Sequence, residues 1–544
     1  MMNININDIA VRYTIDGIEK RAHGPGNEDL RLELCQNGNR TTITIKAEKP
    51  IQMITSSFEV PYEYAPDDHV YVNGYQSWTD TREFALSEYL HDVKKVPRFI
   101  RNIFHFDNYG DAWFMDYQKD NFHSFTYAYL KKKDGSAHLV GSLNESNAYL
   151  IVHYKKDGNV LSLRSDCQYK LVEDEFCLYD FVEYQGSVYE VLENYFANYG
   201  TCSAPPVRGY TSWYLHYQKI DESKIFTALN GIDSEHFDLF QIDDGYETFV
   251  GDWMDIDSAK FPNGLKPIVE KIHAKGLKAG IWLAPFVCET KSRLYKDHPD
   301  WLYRENGNVV FAGSNWSGDV ALDLRLPEVQ DYIRKCLLYY MDMGFDFFKL
   351  DFLYAAALIH EGRGMTRAEI MRRSMEGLRE ILGDKLILGC GVPLSSAFNL
   401  VDYCRIGPDV SLIFDDAFYM RKMHRERIST KNTLQNTIFR AHMDGSVFRC
   451  DPDVFLLRDN DIKLTKEQRK ALCTLNHLCG SVYMTSDNVA QYDEEKLSVL
   501  HEAQKLSAAQ ITNITREGEL ITIDYLLDDV PGNLVYNSEK GILL

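Results

Sequence analysis

The sequence lacks the features that would place it in a membrane, cross-link it with disulfides or fit it to phosphate. No segment reaches the roughly 18 uninterrupted apolar residues of a membrane-spanning helix, so none is expected. The opening stretch MMNININDIAVRY has neither a basic cluster nor an apolar run, so no signal peptide is expected. The 11 cysteines are odd in number and include no CxxC pair, which predicts reduced thiols and a cytoplasmic location rather than a disulfide framework. Neither GxGxxG nor a P-loop occurs, which weakens the case for a nucleotide-binding open sheet. HExxH and cysteine quartets are missing, so a zinc site has little support. GDWMDIDSAKFPNG lacks the spacing and terminal Glu of a calcium loop. Positive charge is also short: 59 Lys and Arg stand against 80 Asp and Glu, a formal net charge of -21. That balance argues against nucleic acid and anionic membranes as partners and suits a neutral ligand.

What is present falls into distinct textures. The first third alternates apolar and polar residues with period two, as in RLELCQNG, RTTITIKAE, AYLIVHYKK and NVLSLRSD, with Asn, Gly and Asp at the turns. This predicts an antiparallel β-sandwich over residues 1–200. SAPPVRG then marks an entry into a new domain. Beyond it, eight short apolar runs alternate with amphipathic segments: RGYTSWYL, FDLFQIDDGY, LKAGIWLAPF, FDFFKLDFLY, KLILGCGVP, YCRIGPD, SVFRCDPD and SVYMTSD. Eight βα repeats predict a central (β/α)8 TIM barrel over residues 201–495, within a multidomain α/β and β chain. Two of the intervening segments, PNGLKPIVEKIHAKG and PEVQDYIRKCLLYYMDMG, carry Pro near the start and Gly at the end, and a third has Thr465 and Gln468 at capping-box spacing. Alternation returns in ELITIDYLL, which predicts a small antiparallel β-domain over residues 496–544.

Barrels of this kind build their sites at the C-terminal ends of the strands. Those ends carry Trp213, Asp243 with Asp244, Trp282, Lys349 with Asp351, Cys390, Arg405 with Asp409, Asp451 and Asp487. Lys349 and Asp351 are two apart on a strand and so face the same side, toward the barrel mouth. A neighbouring cation would keep Asp351 ionised and suited to nucleophilic attack; a buried structural ion pair is the other reading. Asp409 follows a Gly-Pro turn that would aim it inward, where a nearby anion would raise its pKa. Taken in isolation it reads more readily as a plain turn residue. The Asp243–Asp244 pair fits two neighbouring hydroxyls of a pyranose, or simply opens an Asp-Gly turn. Trp282 suits either a pocket wall or the core, and Trp78 in NGYQSW would have to reach over from the first domain. Aromatic residues make up 13% of the chain, which suits sugar contacts but also large cores. A magnesium site among these carboxylates is disfavoured because Lys349 competes for them.

Together QIDDGYE followed by GDW, then GIWLAPF, FKLDF, ILGCG and RIGPD, resemble glycoside hydrolase family 36, the bacterial α-galactosidases or melibiases, in family order. The resemblance covers the whole barrel and reaches back to NGYQSW. It implies an N-terminal β-supersandwich, the barrel and a C-terminal antiparallel β-domain. It implies retaining hydrolysis of terminal α-linked galactose, with Asp351 as nucleophile, Asp409 as acid/base and no cofactor or metal. It also implies sugar contacts at Asp243, Asp244, Trp282, Lys349, Cys390, Arg405, Trp78 and Trp213, with Asp451 at the same mouth, and a possible homo-oligomer. An α-N-acetylgalactosaminidase or transglycosylase with the same machinery, and a catalytically silent carbohydrate-binding barrel, are the alternatives. The chain departs from the family where a tryptophan is expected after Asp409, the nearest large aromatic being Phe414, and where Trp and Asn are expected ahead of Asp451.

Overall fold

The computed structural model describes residues 2–359, 364–415 and 424–544. The alternating N-terminal segments form two seven-stranded antiparallel sheets. Their inward residues, among them Tyr13, Leu161 and Leu163 from one sheet and Ile43, Ile45 and Phe176 from the other, share one buried cluster. Each such side chain contributes roughly 1.5–3 kcal/mol relative to exposure, so the alternation in the sequence fixes which face turns inward.

The second unit is a parallel sheet. Its strands are β1 (Val207–Thr211), β2 (Leu239–Ile242), β3 (Lys278–Leu283), β4 (Phe347–Leu350), β5 (Leu386–Gly389), β6 (Tyr403–Arg405), β7 (Arg449–Asp451, resumed at Val454–Phe455) and β8 (Val482–Thr485). Each overlaps an expected apolar run, although β1 starts one residue early at Val207 and the resumed part of β7, Val454–Phe455, lies just past SVFRCDPD. Neighbours pair in chain order from β1 to β7, β1 also pairs with β8, and β8 pairs with the second half of β7. The Ser481 amide donates to the Cys450 carbonyl at 3.0 Å, so the sheet curls back on itself as a TIM barrel does. Strands covered on both faces read as continuous apolar runs, which is why FFKL is buried at all four positions.

Crossover helices start and stop where the sequence signals them. Pro327 opens the helix Pro327–Met343, and Gly344 ends it in the left-handed conformation at φ 105°. Thr465 and Gln468 form a reciprocal capping box on Lys466–Cys479. A four-stranded antiparallel sheet begins at Gln510. Residues 496–505, expected to be part of the C-terminal β-domain, belong instead to the helix Glu494–Lys505. All eleven cysteines are free thiols.

The first unit is clamped onto the barrel mouth. Arg440, fully buried, donates to the carbonyls of Ser77 at 2.6 Å and Ile406 at 2.8 Å. The Ser77 amide donates to Val392 O at 3.0 Å, and Asn436 bonds both Thr81 N and Thr79 O. These bonds hold the NGYQSW loop above the ends of β5 and β6. Trp78 then lies against Gly391 (φ 56°), where a Cβ would sit 2.7 Å from the indole.

Candidate active site

Asp351 is the first residue past β4, and Phe352 behind it is held in the left-handed region at φ 54°. A bulky residue there is strained, and strain of this kind concentrates at functional sites. The turn aims the Asp351 carboxylate at the mouth. Trp282 Nε1–H donates to its Oδ2 at 3.1 Å and the Phe352 amide to its Oδ1 at 2.8 Å. These two donors fix its orientation. Lys349, expected to charge Asp351 directly, bonds elsewhere: its Nζ donates to Asp243 Oδ2 at 2.9 Å. Burial alone would lower the Lys349 pKa, but Asp243 and then Asp351 reverse this and keep the ammonium charged. Strand geometry gave the shared face correctly, but the neighbouring strand supplied the nearer anion.

Asp243 Oδ2 is saturated. Besides Lys349, it accepts from Gln241 at 2.7 Å and Thr211 at 3.1 Å. Asp244 accepts from Gln218 Nε2 and Trp316 Nε1, both at 2.9 Å. Gly245, at φ 111°, lets the chain press against the Gln218 backbone, where any Cβ would collide at 2.7 Å. Burial raises the Asp244 pKa against those hydrogen bonds. Buried Glu247 beside it is raised further by its own burial and by Asp244, so the two share a proton.

Behind Asp409 lies a cluster the sequence did not reveal. Arg405 donates to Asp409, Asp451 and Asp453, each at 2.9 Å. Tyr214 also bonds Asp453, and the Val410 amide donates to it at 2.8 Å. Three carboxyls on one guanidinium cannot all be ionised cheaply in a buried site. Burial pushes Asp453 up to about 7, with Arg405 opposing. Burial likewise raises Asp409, against Arg405 and Lys349 and with help from Asp351 and Asp243. Asp409 keeps 32% of its side chain exposed to solvent, which moderates the upward shift without reversing its direction. Asp409 and Asp453, both raised and close to each other, titrate together.

Trp78, Trp213, Asp243, Asp244, Trp282, Lys349, Asp351 and Asp409 all line one cavity of about 620 Å³. The structure does not bring Cys390, Arg405 or Asp451 onto its wall. Arg405 was expected to touch sugar, but its guanidinium is spent on carboxylates. Asp451 accepts from Arg405 and from the Asp453 amide at 2.8 Å, so it supports the wall from behind. Cys390 is 1% exposed, and burial holds its thiol neutral. Asp487 is consumed by the amides of Leu457 and Arg458 and the Arg458 guanidinium. Phe414 packs against Gly541 of the C-terminal sheet, away from this wall. Sequence reasoning missed Trp316, Gln218, Tyr109 and Phe106, which also line the cavity. Trp316 sits in the polar loop SNWSGD; a lone tryptophan among turn residues was the available signal. Among the described residues no cluster of potential metal ligands occurs, and no helix is long and apolar enough to cross a membrane.

Trp316→Phe keeps the ring and removes one N–H from Asp244. Losing one hydrogen bond to a charged acceptor costs about 1.5 kcal/mol, so substrate KM should rise roughly tenfold with kcat less affected. Unchanged steady-state kinetics would rule out Asp244 as a ligand-holding group.

Residues 206–385 match the family model described as Melibiase. Alpha-galactosidase C of Emericella nidulans is 32% identical over 155 residues, 25% of this chain and 20% of that protein. The alpha-galactosidase of Escherichia coli is 33% identical over 154 residues, 26% of this chain and 21% of that protein. The matched stretch thus spans about a fifth of the length of these curated relatives. Among solved structures, the Thermus thermophilus alpha-galactosidase in complex with p-nitrophenyl alpha-D-galactopyranoside superposes with a TM-score of 0.72 at 25% identity, covering 96% of this chain and 98% of that one. A GH36 alpha-galactosidase from Geobacillus stearothermophilus shares the fold, with a TM-score of 0.62 at 13% identity over 97% of this chain and 74% of that one.

Proposed function

We propose that this chain, whose barrel carries a melibiase-family segment, is a retaining exo-α-galactosidase that removes terminal α-linked galactose by double displacement. One observation carries the reading: Asp351, oriented by two N–H donors, and Asp409, raised toward its acid form, line the same cavity. Asp351 attacks the anomeric carbon while Asp409 protonates the departing oxygen. Asp409, now a carboxylate, takes a proton from water as that water displaces Asp351. Asp243, Asp244 and Lys349 hold sugar hydroxyls, and the tryptophans wall the ring. Arg405, itself held by Asp451 and Asp453, keeps Asp409 in place. Retention calls for carboxyl groups about 5–5.5 Å apart. The domain division that fits this reading is a β-supersandwich to about residue 200, the barrel, and a C-terminal β-domain. The helix 494–505 goes with the barrel, which moves the second boundary later than 496.

The decisive test follows the products of p-nitrophenyl α-galactoside by proton NMR during the first minutes. α-Galactose should appear first and mutarotate afterwards. If β-galactose appears first, the enzyme inverts and Asp351 is not a nucleophile. Parallel rates on melibiose, raffinose and the N-acetylgalactosamine analogue rank the family alternatives, and absence of any turnover would leave a carbohydrate-binding barrel.

A further inference from the structure

The far side of the cavity is unlike the sugar-holding side. Phe106 and Ile428 both line it, and Ile428 is 56% exposed. Rings continue outward from there: Tyr109 to His424 at 5.9 Å, His424 to Phe106 at 4.8 Å and Phe106 to Phe104 at 5.2 Å between centroids. Phe104 ends helix α1 (Arg98–Phe104), which has no buried residue at all. On it Phe99, Ile103 and Phe104 are 67%, 62% and 44% exposed. Exposed large apolar residues this close together and joined to a site are not scattered surface.

Glu426 and Arg427 on this side are already engaged, and His424 Nδ1, which has no hydrogen-bond partner among the described residues, is a single group rather than a converging set. Glu426 accepts from Thr79 at 2.8 Å, and Arg427 pairs with Asp415 at 2.7 Å. A second sugar ring needs convergent donors and acceptors for its hydroxyls, and aliphatic Ile428 and Ile103 offer none. A hydrocarbon needs only apolar surface to leave water. We propose that the cavity opens into an apolar track from Phe106 and Ile428 to Phe104 and Ile103. This track receives the hydrocarbon of the leaving group, so α-galactosides of long-chain alcohols are the preferred substrate class. The inference rests on the α-galactosidase reading above.

Kinetics on methyl, butyl and octyl α-galactosides, all kept monomeric, test it. Their alcohols differ little in acidity, so the ratio of kcat/KM values reads contact with the chain and not leaving-group chemistry. Each methylene removed from water is worth up to about fourfold, so octyl should exceed methyl by at least about tenfold. The octyl-to-methyl ratio should fall to within about threefold in Ile103→Ser/Phe104→Ser and, separately, in Ile428→Ser, once the apolar surface is gone. These are exposed positions, so the variants are expected to fold. A flat series in the wild type overturns the track while leaving the hydrolase standing. So does a steep series whose slope survives in both variants. No turnover of any α-galactoside removes the track and the hydrolase together.

Discussion

Asp351→Ala is expected to lower kcat/KM on α-galactosides by at least about 10⁴-fold, or roughly 5.5 kcal/mol of transition-state stabilisation. The side chain removed is the one that would form the covalent intermediate, and no neighbour can replace it. On the proposed reading Asp409 sits on the leaving-group side, and Asp243 Oδ2 is filled by three side-chain donors. Substrate binding should change little, because Asp243, Asp244 and Lys349 remain. Azide supplies the missing nucleophile. It enters the space vacated by the carboxylate, opposite the leaving group, so the rescued product is β-galactosyl azide. Turnover in Asp351→Ala equal to wild type, or rescue yielding the α-azide, would remove Asp351 from this role.

Asp409→Ala should show the complementary pattern. General acid assistance contributes about 10²–10⁴-fold, so melibiose hydrolysis should drop by that range. p-Nitrophenyl α-galactoside should lose less, since nitrophenolate leaves without much help. The second step also slows, so a galactosyl-enzyme accumulates, and azide intercepts it as α-galactosyl azide. The two variants thus give azides of opposite configuration, which assigns both roles from product alone. The pH dependence has a definite sign. Asp409 must enter protonated, and burial raises its pKa above the usual carboxylate range. Wild-type kcat/KM should therefore hold through mildly acidic pH and fall as pH rises through that raised value. In Asp409→Ala the alkaline fall should vanish. An alkaline limb unchanged in the variant would assign the proton to another member of the cluster, with Asp453, pushed up to about 7, the first to examine.

Much of this was legible in the chain because it is local. The period-two alternation of RTTITIKAE determines which residues turn inward, since successive side chains on a strand point to opposite faces. The eight apolar runs mark the barrel strands, since a strand covered on both faces must be apolar along its length. Asp351 and Asp409 can be nominated from position alone, because both follow strands and open turns. From the residues alone, that Trp78 reaches over the mouth is only a guess, and the resemblance gives it a role. Nothing in NGYQSW shows that Arg440, more than 350 residues on, will clamp that loop over the mouth.

Only the tertiary structure decided what each charged group does. Lys349 shares a face with Asp351, yet its Nζ–H is donated to Asp243 at the end of another strand. Arg405 stands at a strand end like a sugar ligand, yet gathers three aspartates behind the wall. Asp487 follows β8 as Asp351 follows β4, yet is filled by Arg458 and backbone amides. The reason is physical. A side chain's direction follows from its own backbone, but its protonation and hydrogen bonds depend on what distant segments bring within about 3–6 Å. Sequence alone therefore determined the elements, their order and the candidate acids, while folding determined which acids face the cavity and which hold one another in place.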